Sequence, residues 1–471
     1  MQRSSALVLA LSLAAAACTG AVSGTPSPPL PAPQPAPQPA PQPAPQPEPL
    51  SPPPQAQLDP DGNDDPEDPG TGTAPTAAHF ERVGLAPKAL ERICDLTPFH
   101  GSLYAAHANQ PLGTDGATLT RYTPLPPEDA GRATTRTPFH MVFDWNRPGE
   151  PAEGGGAGQG FLRIHSIDGR LFTPDADPPY NGFGIVDHGT EGYVFLSDTT
   201  GNFAKATGDH FHPPGAPRLL GDAGDAGIRG AGAAVLPRAY HVIDVIKFRG
   251  RLYASTGSVP PTEHAWRGPS PGALHVANDS WSRFTYEVDY PFPWQNGVWR
   301  LGFMTRFKDA LYAGIQDYNG REPNDYVVFS PDPTSPVIKH EDVHPHRIVG
   351  TLQTLRWYTD GGKLYWVTLS RDGTGALRVS DDGDTWRDID LPDDAGRPTD
   401  ITRFRDALVV LTERGLYRLA GDVPVLVARV TEKKSPFVVS DFFCAAPIAV
   451  FENALYAGSQ RNGALYRLVE D

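Results

Sequence analysis

Seven times between Phe99 and Tyr456 the chain repeats one short pattern: a strand-like stretch, a tight polar turn, then Leu followed by a further apolar residue. The copies are Phe99-His-Gly-Ser-Leu103, Ile167-Asp-Gly-Arg-Leu171, Phe248-Arg-Gly-Arg-Leu252, Phe307-Lys-Asp-Ala-Leu311, Thr359-Asp-Gly-Gly-Lys-Leu364, Phe404-Arg-Asp-Ala-Leu408 and Phe451-Glu-Asn-Ala-Leu455. Gly, Asp and Asn between two alternating apolar runs are hairpin chemistry, so each copy supplies two antiparallel strands. A third strand follows each pair, at Ala117–Leu119, Gly192–Val194, Gly272–Leu274, Asp325–Val327, Gly375–Leu377, Arg414–Leu416 and Gly463–Leu465. In several repeats a fourth comes next. One such unit cannot bury both of its faces alone, and stacking against its neighbours solves that.

Four strands repeated seven times predict an all-β fold, a seven-bladed β-propeller of four-stranded antiparallel blades that hides its sheet edges by radial packing. The last repeat reaches only its third strand, Ala464–Val469, before Asp471. The stretch Phe80–Val83 is therefore expected to complete that blade and close the ring. No helix-length amphipathic pattern interrupts this reading. In repeat four, Pro336–Lys339 reads as the fourth strand.

The expected organisation is a signal peptide over 1–17, a Pro-rich and acidic stalk over 18–77, and the propeller over 78–471. Arg3, the apolar run Ala6–Leu13 and the small residues Ala14–Ala17 form an export-signal layout too short to span a bilayer. Cys18 after those alanines resembles the lipobox cysteine of bacterial lipoproteins, although Ala15 stands where leucine is usual. The resemblance implies lipidation at Cys18, a membrane contact through the lipid alone, and a place in the periplasm or at the outer membrane surface. Pro-Ala-Pro-Gln repeats over Pro26–Pro54 favour extended polyproline geometry, and roughly thirty such residues at about 3.1 Å each reach on the order of 90 Å. The net charge of -15 argues against a nucleic-acid partner, which needs a concentrated basic face. A monomer is expected.

Removing Cys18 leaves Cys94 and Cys444. Cys94 precedes the first hairpin and Cys444 the last, so a closed ring makes them neighbours on inner strands. In an oxidising compartment they would form a disulfide; the alternative is two buried thiols acting as small hydrophobes.

Repeat five continues as Val379-Ser-Asp-Asp-Gly-Asp-Thr-Trp386, which resembles the Asp-box of sialidase-like propellers, with Asp381, Gly383, Thr385 and Trp386 in place and Val379 replacing Ser or Thr. In those families the box is a structural turn: its carboxylate caps the turn and its Trp packs between sheets. Ser197–Phe203 and Ala277–Trp281 are degraded versions. The likeness covers turns only. Phe161-Leu-Arg163-Ile-His165 resembles the family's arginine motif with His165 in the place of proline, so no catalytic role is carried over.

Candidate binding residues come from the connections between second and third strands, which are long in repeats one to four and short in five to seven. Loops on a rigid scaffold commonly carry binding groups. Those of repeats two to four, with the inner strand starts beside them, hold Asp175, Tyr180, Asp187, His188, His241, Asp244, His264, Trp266, Trp299, Arg300, Asp317 and Tyr318. Aromatic rings stack on sugar faces, while carboxylates, imidazoles and arginine orient hydrogen bonds. His241 and Asp244 are the catalytic candidates; the plainer reading makes them satisfied channel-lining groups.

No resident cofactor or metal is expected. His340-Glu-Asp-Val-His344 has the letters of a zinc-protease motif, yet that chemistry needs a helix, and Pro345 disfavours one at His344. With His346 the cluster could hold an adventitious metal. His210 and His212 lack an obvious third ligand. Two functions stay open: a non-catalytic module that binds a glycan, a peptide or an envelope protein, and a hydrolase or lyase acting on polysaccharide, which would need a paired acid and base.

Overall fold

The computed structural model describes residues 69–471 apart from 87–89, 109–116, 126–137, 145–159, 175–190, 204–231, 238, 258–271, 280, 282, 290–298, 318–323, 351 and 441–443. Among the described residues the fold is all-β. Strand β1 is Ala78–Leu85. Repeat one gives β2 (Ile93–Phe99), β3 (Ser102–His107), β4 (Thr118–Tyr122) and β5 (Phe139–Asp144). Repeat two gives β6 (His165–Ile167), β7 (Arg170–Pro174), β8 (Glu191–Leu196) and β9 (Gly232–Pro237). Then come β10 (Tyr240–Phe248), β11 (Arg251–Gly257), β12 (Ala273–Ala277) and β13 (Phe284–Asp289). Repeat four holds β14 (Trp299–Phe307), β15 (Ala310–Asp317), β16 (Tyr326–Phe329) and β17 (Val343–His346). Repeat five holds β18 (Leu352–Asp360), β19 (Lys363–Ser370), β20 (Gly375–Ser380) and β21 (Arg387–Ile389). Repeat six has β22 (Pro398–Phe404), β23 (Ala407–Thr412), β24 (Gly415–Ala420) and β25 (Val423–Arg429), and repeat seven β26 (Ile448–Phe451), β27 (Ala454–Gly458) and β28 (Ala464–Glu470).

These strands form small antiparallel sheets in a propeller arrangement: five of four strands, and one of eight in which β10–β13 and β14–β17 meet through the single pair Gly257 and Arg300. The first strand of each repeat neighbours that of the next, from β2 through β6, β10, β14, β18, β22 and β26 back to β2.

The hairpin turns explain the repeat. Phe99 pairs with Ser102, leaving His100-Gly101 as a two-residue loop with φ of 46° and 70°. Asp168-Gly169 and Arg249-Gly250 do the same. Two positive φ values define the type I′ turn, whose twist matches that of the strands. Between sheets the packing is aromatic. Gly383, at φ +91°, shows why a glycine stands in the turn after β20: a Cβ there would come within 2.0 Å of the Tyr312 hydroxyl of the preceding repeat.

The two ends of the described fold meet. β1 pairs antiparallel with β28, Phe80 opposite Leu468, and completes the sheet β1-β28-β27-β26. Cys94 and Cys444 are disulfide-bonded, with their Cα atoms 4.9 Å apart. Cys94 lies in β2, whereas Cys444 lies before β26 rather than in a strand. Upstream of β1, Thr71 N donates to Asn453 Oδ1 (2.8 Å) and Ala74 N to Asp406 Oδ1 (2.7 Å), which pins the entering chain across the hairpin turns of repeats six and seven.

Two local expectations are corrected. The fourth strand of repeat four is Val343–His346, not Pro336–Lys339, which is irregular. Pro345 is tolerated because β17 is an edge strand paired only with β16, so its missing N–H breaks no ladder. In the turn after β20 the capping carboxylate is Asp382, not Asp381: its Oδ1 accepts from Asp384 N (2.8 Å), Thr385 N (2.7 Å) and Ser380 Oγ (2.9 Å). Those donors hold the Asp382 carboxyl below the usual carboxylate range.

Candidate functional site

Five of the seven first strands slip register at one shared place, between Ile93 and Asp95, Val242 and Asp244, Leu301 and Met304, Thr354 and Arg356, and Pro398 and Asp400. A bulge adds a residue to one strand and re-aims its side chain. Here it delivers polar groups toward the centre of the ring. Asp95 Oδ2 accepts from Ile164 N (2.9 Å), Asp244 Oδ2 from Met304 N (2.7 Å) and Asp400 Oδ2 from Ile448 N (2.8 Å). Each carboxylate thus bolts its own repeat to the first strand of the following one.

Their second oxygens face cations. Arg356 lies between two carboxylates, with Nη1 3.1 Å from Asp95 Oδ1 and Nε 2.8 Å from Asp400 Oδ1. Arg163 Nη1 is 3.4 Å from Asp95 Oδ1 and its Nε 3.7 Å from Asp244 Oδ1, while His165 Nε2 is 2.7 Å from that same Asp244 oxygen. A continuous chain, Asp400 to Arg356 to Asp95 to Arg163 to Asp244 to His165, crosses the middle of the ring. All six side chains are at most 14% exposed. Burial pushes the Asp400 carboxyl up to about 6 despite Arg356, and burial likewise raises Asp95 against the pull of Arg356 and His165.

Asp95, Arg163, His165, Arg356 and Asp400 of this network line a central cavity of 720 Å³ to which every repeat contributes. The cavity runs to the hairpin turns, where Arg249, Lys308 and Asp309 form its rim with Arg306, Asp360 and Arg403. Arg403 grips Asp360 at two points, 2.5 and 2.6 Å, and Tyr358 Oη accepts from Arg403 N (2.9 Å). Lys308 Nζ sits 5.2 Å from the centre of the Phe307 ring. Half-buried Tyr358 lies on this wall, while the Trp357 and Phe248 rings are buried in the packing between sheets.

Of the residues singled out from the sequence, Asp244 belongs to this network, and its imidazole partner is His165. His241 lies in β10, Trp299 in β14 and Asp317 in β15, where the Trp299 and Asp317 backbones pair; the side chains of these three are outside the described residues. Arg300 is buried at the junction with Gly257. Asp175, Tyr180, Asp187, His188, His264, Trp266 and Tyr318 lie outside the described residues, as do Cys18, His210 and His212. His340 begins a single three-residue 3-10 turn and His344 sits in β17, so the protease letters carry no helix. His340 Nδ1 faces Asp289 (3.4 Å) and His346 Nδ1 faces Asp384 (3.4 Å). Among the described residues no group of three or more His, Cys, Asp and Glu side chains is arranged to hold a metal.

Sequence reasoning missed Asp95, Arg163, His165, Arg356 and Asp400. The signal was positional: Asp95, Arg163, Asp244 and Asp400 each stand four residues before the last residue of their first strand, at Phe99, Ile167, Phe248 and Phe404.

No protein-family model matches the chain, and no curated protein matches it. Among solved structures, virginiamycin B lyase from Staphylococcus aureus is similar at 9% identity and a TM-score of 0.45, over 84% of this chain and 100% of that one. The extracellular domain of a two-component system from B. thetaiotaomicron gives 11% and 0.44, over 83% and 42%. Raptor from Chaetomium thermophilum gives 12% and 0.43, over 84% and 29%, so the chain spans less than half of these last two. Nothing about the activity of this chain follows from likenesses of this size.

Proposed function

We propose that the chain is an exported seven-bladed propeller, lipid-anchored at Cys18 in the cell envelope, that binds a polar ligand without transforming it. Seven blades are supported by the closed succession of seven first strands and by the single-pair junction that divides the eight-stranded sheet into two meanders of four. Export is supported by the signal-like first seventeen residues and by the disulfide, which suits an oxidising compartment. The stalk then holds the propeller clear of the membrane, where a glycan, a peptide or an envelope protein is within reach of the cavity and of the loop residues from Tyr180 to Tyr318.

The observation that carries the binding reading is the saturation of the central carboxylates. Asp95, Asp244 and Asp400 each spend one oxygen on a neighbouring backbone N–H and turn the other to a buried arginine, Arg356 for Asp95 and Asp400 and Arg163 for Asp244. A general base must keep a lone pair for the substrate proton. These groups instead set the shape and charge of a rigid floor. A screen of the full exported chain against glycans, peptides and envelope extracts is expected to return at least one saturable ligand, and a blank screen with folded protein contradicts the reading.

The polysaccharide hydrolase or lyase is the second reading, favoured by the His165–Asp244 pair at 2.7 Å, since a carboxylate that orients an imidazole is the usual support of a base. It predicts turnover of some polysaccharide that His165→Ala abolishes; a broad panel with no turnover removes it.

A further inference from the structure

The chain enters the fold along a path with more attachments than completing a sheet requires. From Pro69 to Ala77 it crosses the hairpin-turn side as a strap. Pro69 O accepts from Arg405 N, Thr71 N donates to Asn453 Oδ1 (2.8 Å), Thr73 O accepts from Arg405 Nη1 (3.0 Å), Ala74 N donates to Asp406 Oδ1 (2.7 Å) and Ala77 O accepts from Asp471 N (3.3 Å). Ala74 and Pro75 are buried. Gly70 passes so near Asn453 that a Cβ on it would lie 2.5 Å from Oδ1. The Arg405 guanidinium reaches beyond the strap to Glu470 Oε1 (2.6 Å) and so ties it to the last strand as well.

After the strap, β1 runs from the hairpin-turn side, where Ala78 stands opposite Glu470, to the other side, where Leu85 stands opposite Ala464 and Ala86 N donates to Gly463 O (2.9 Å). The hydrogen bonds of an antiparallel pair lie across the strands. A pull on Ala78 along β1, out of the hairpin-turn side, therefore strains the whole ladder at once, whereas a pull across it opens one pair at a time. Packing adds to the ladder, with the Phe80 ring edge-on to Phe437 at 4.8 Å. Next along the chain comes β2, and its Cys94 is covalently joined to Cys444. A load that strips the strap and β1 thus meets a disulfide before it reaches the rest of repeat one.

We infer that the segment from Pro69 to Cys94 is a mechanical clamp, in which tension on the stalk is carried first by the strap, then by the β1–β28 ladder in shear, and last by the Cys94–Cys444 disulfide as a stop. This load path rests on the reading of the chain as anchored through its stalk. Under such tension the hairpin-turn side is drawn toward the anchor and the long-loop side is presented outward.

Optical-tweezers pulling of the full exported chain tests it, with one handle at the amino terminus and the other at Arg371→Cys, an exposed position in the turn between β19 and β20 on the long-loop side. The chain from Pro69 to the residue before Cys94 can release at most about 85 Å at about 3.4 Å per residue, so the first steps are expected to stop within that length. The β1 step should need a severalfold higher force than when the second handle is moved to Asp471, which lies beside the start of β1 and makes the same ladder unzip. Asn453 has φ 61°, so Asn453→Gly suits its turn while removing the acceptor of Thr71 N; it should release the strap about fivefold faster at a given force, with the melting temperature unchanged. Cys94→Ser with Cys444→Ser should let the first release run on into repeat one. Equal forces in the two pulling directions, or a first release longer than the chain up to Cys94 with the disulfide intact, overturns the inference. If mass spectrometry finds no lipid on Cys18 while the force asymmetry holds, the anchored reading falls and the clamp stands.

Discussion

Repeats four and five are joined by side-chain packing, whereas the seam between repeats seven and one adds a disulfide and non-local hydrogen bonds to its packing. At the first interface Tyr312 and Tyr326 meet Trp357, Trp366 and Trp386; the Trp357 and Trp366 rings stack at 4.8 Å, and Trp386 Nε1 donates to Tyr326 Oη (3.1 Å). At the seam there is an apolar layer too, with Ile93 and Leu103 against Phe451 and Leu465. To it are added Ile93 N donating to Ser459 O (2.9 Å), Gly463 N to Glu91 O (2.8 Å), Gln460 Nε2 to Ile93 O (2.5 Å), and the Cys94–Cys444 disulfide. The difference follows from connectivity. Neighbouring repeats inside the ring are held close by the chain itself, but the cysteines at the seam are 350 residues apart in sequence, and only non-local bonds stop the ring from opening there.

Breaking the packed interface should have the largest effect. Trp366 is fully buried and donates to Thr354 Oγ1 (2.9 Å), so Trp366→Ala is expected to cost about 3–5 kcal/mol in denaturant unfolding. Opening the seam comes next: Cys94→Ser with Cys444→Ser should lose about 2–5 kcal/mol, and native-state hydrogen exchange should quicken first in β1, β2 and β26 rather than in β18 and β19. Equal loss of protection in both regions would erase the contrast. The cap at Asp382 is smaller, and Asp382→Ala should lower stability by about 1 kcal/mol, with near-ultraviolet circular dichroism reporting the loosened Trp386.

A pH series sharpens the comparison further, because the Asp400 carboxylate accepts from Ile448 N at the join between β22 and β26. Its folded carboxyl is pushed up to about 6, above the value of a solvated aspartate near 4. The folded protein therefore holds this proton more tightly than the unfolded chain. The stabilising contribution is fully present below about pH 4 and is lost as pH rises through about 6. Asp400→Asn should flatten the stability profile in that window; an unchanged slope would mean that Asp400 titrates normally.

The repeat, the hairpins, the borrowed strand β1 and the cysteine pairing were all readable in the chain, because each is written in local turn chemistry or in a periodicity that recurs. The polar floor was less readable. Asp244 is legible beside a loop-rich stretch, but its partner on the neighbouring strand, His165, resembles only a broken arginine motif, and Asp95, Arg356 and Asp400 carry no motif at all. Their meeting depends on bulges, and a one-residue slip moves a side chain from one face of a strand to the other without leaving a mark in the hydrophobic pattern. Asp382 was overlooked in favour of Asp381 for a related reason: the letters of a turn motif do not say which of two adjacent carboxylates faces the N–H groups.

The proposed architecture is a closed ring of seven four-stranded blades around a cavity floored by buried ion pairs. An experimentally determined density map of the exported chain tests it most directly. The account predicts seven sheets, β1 seated on β28, and Arg356 between Asp95 and Asp400. A ring of six or eight sheets, or an open arrangement with Cys94 and Cys444 apart, would contradict it.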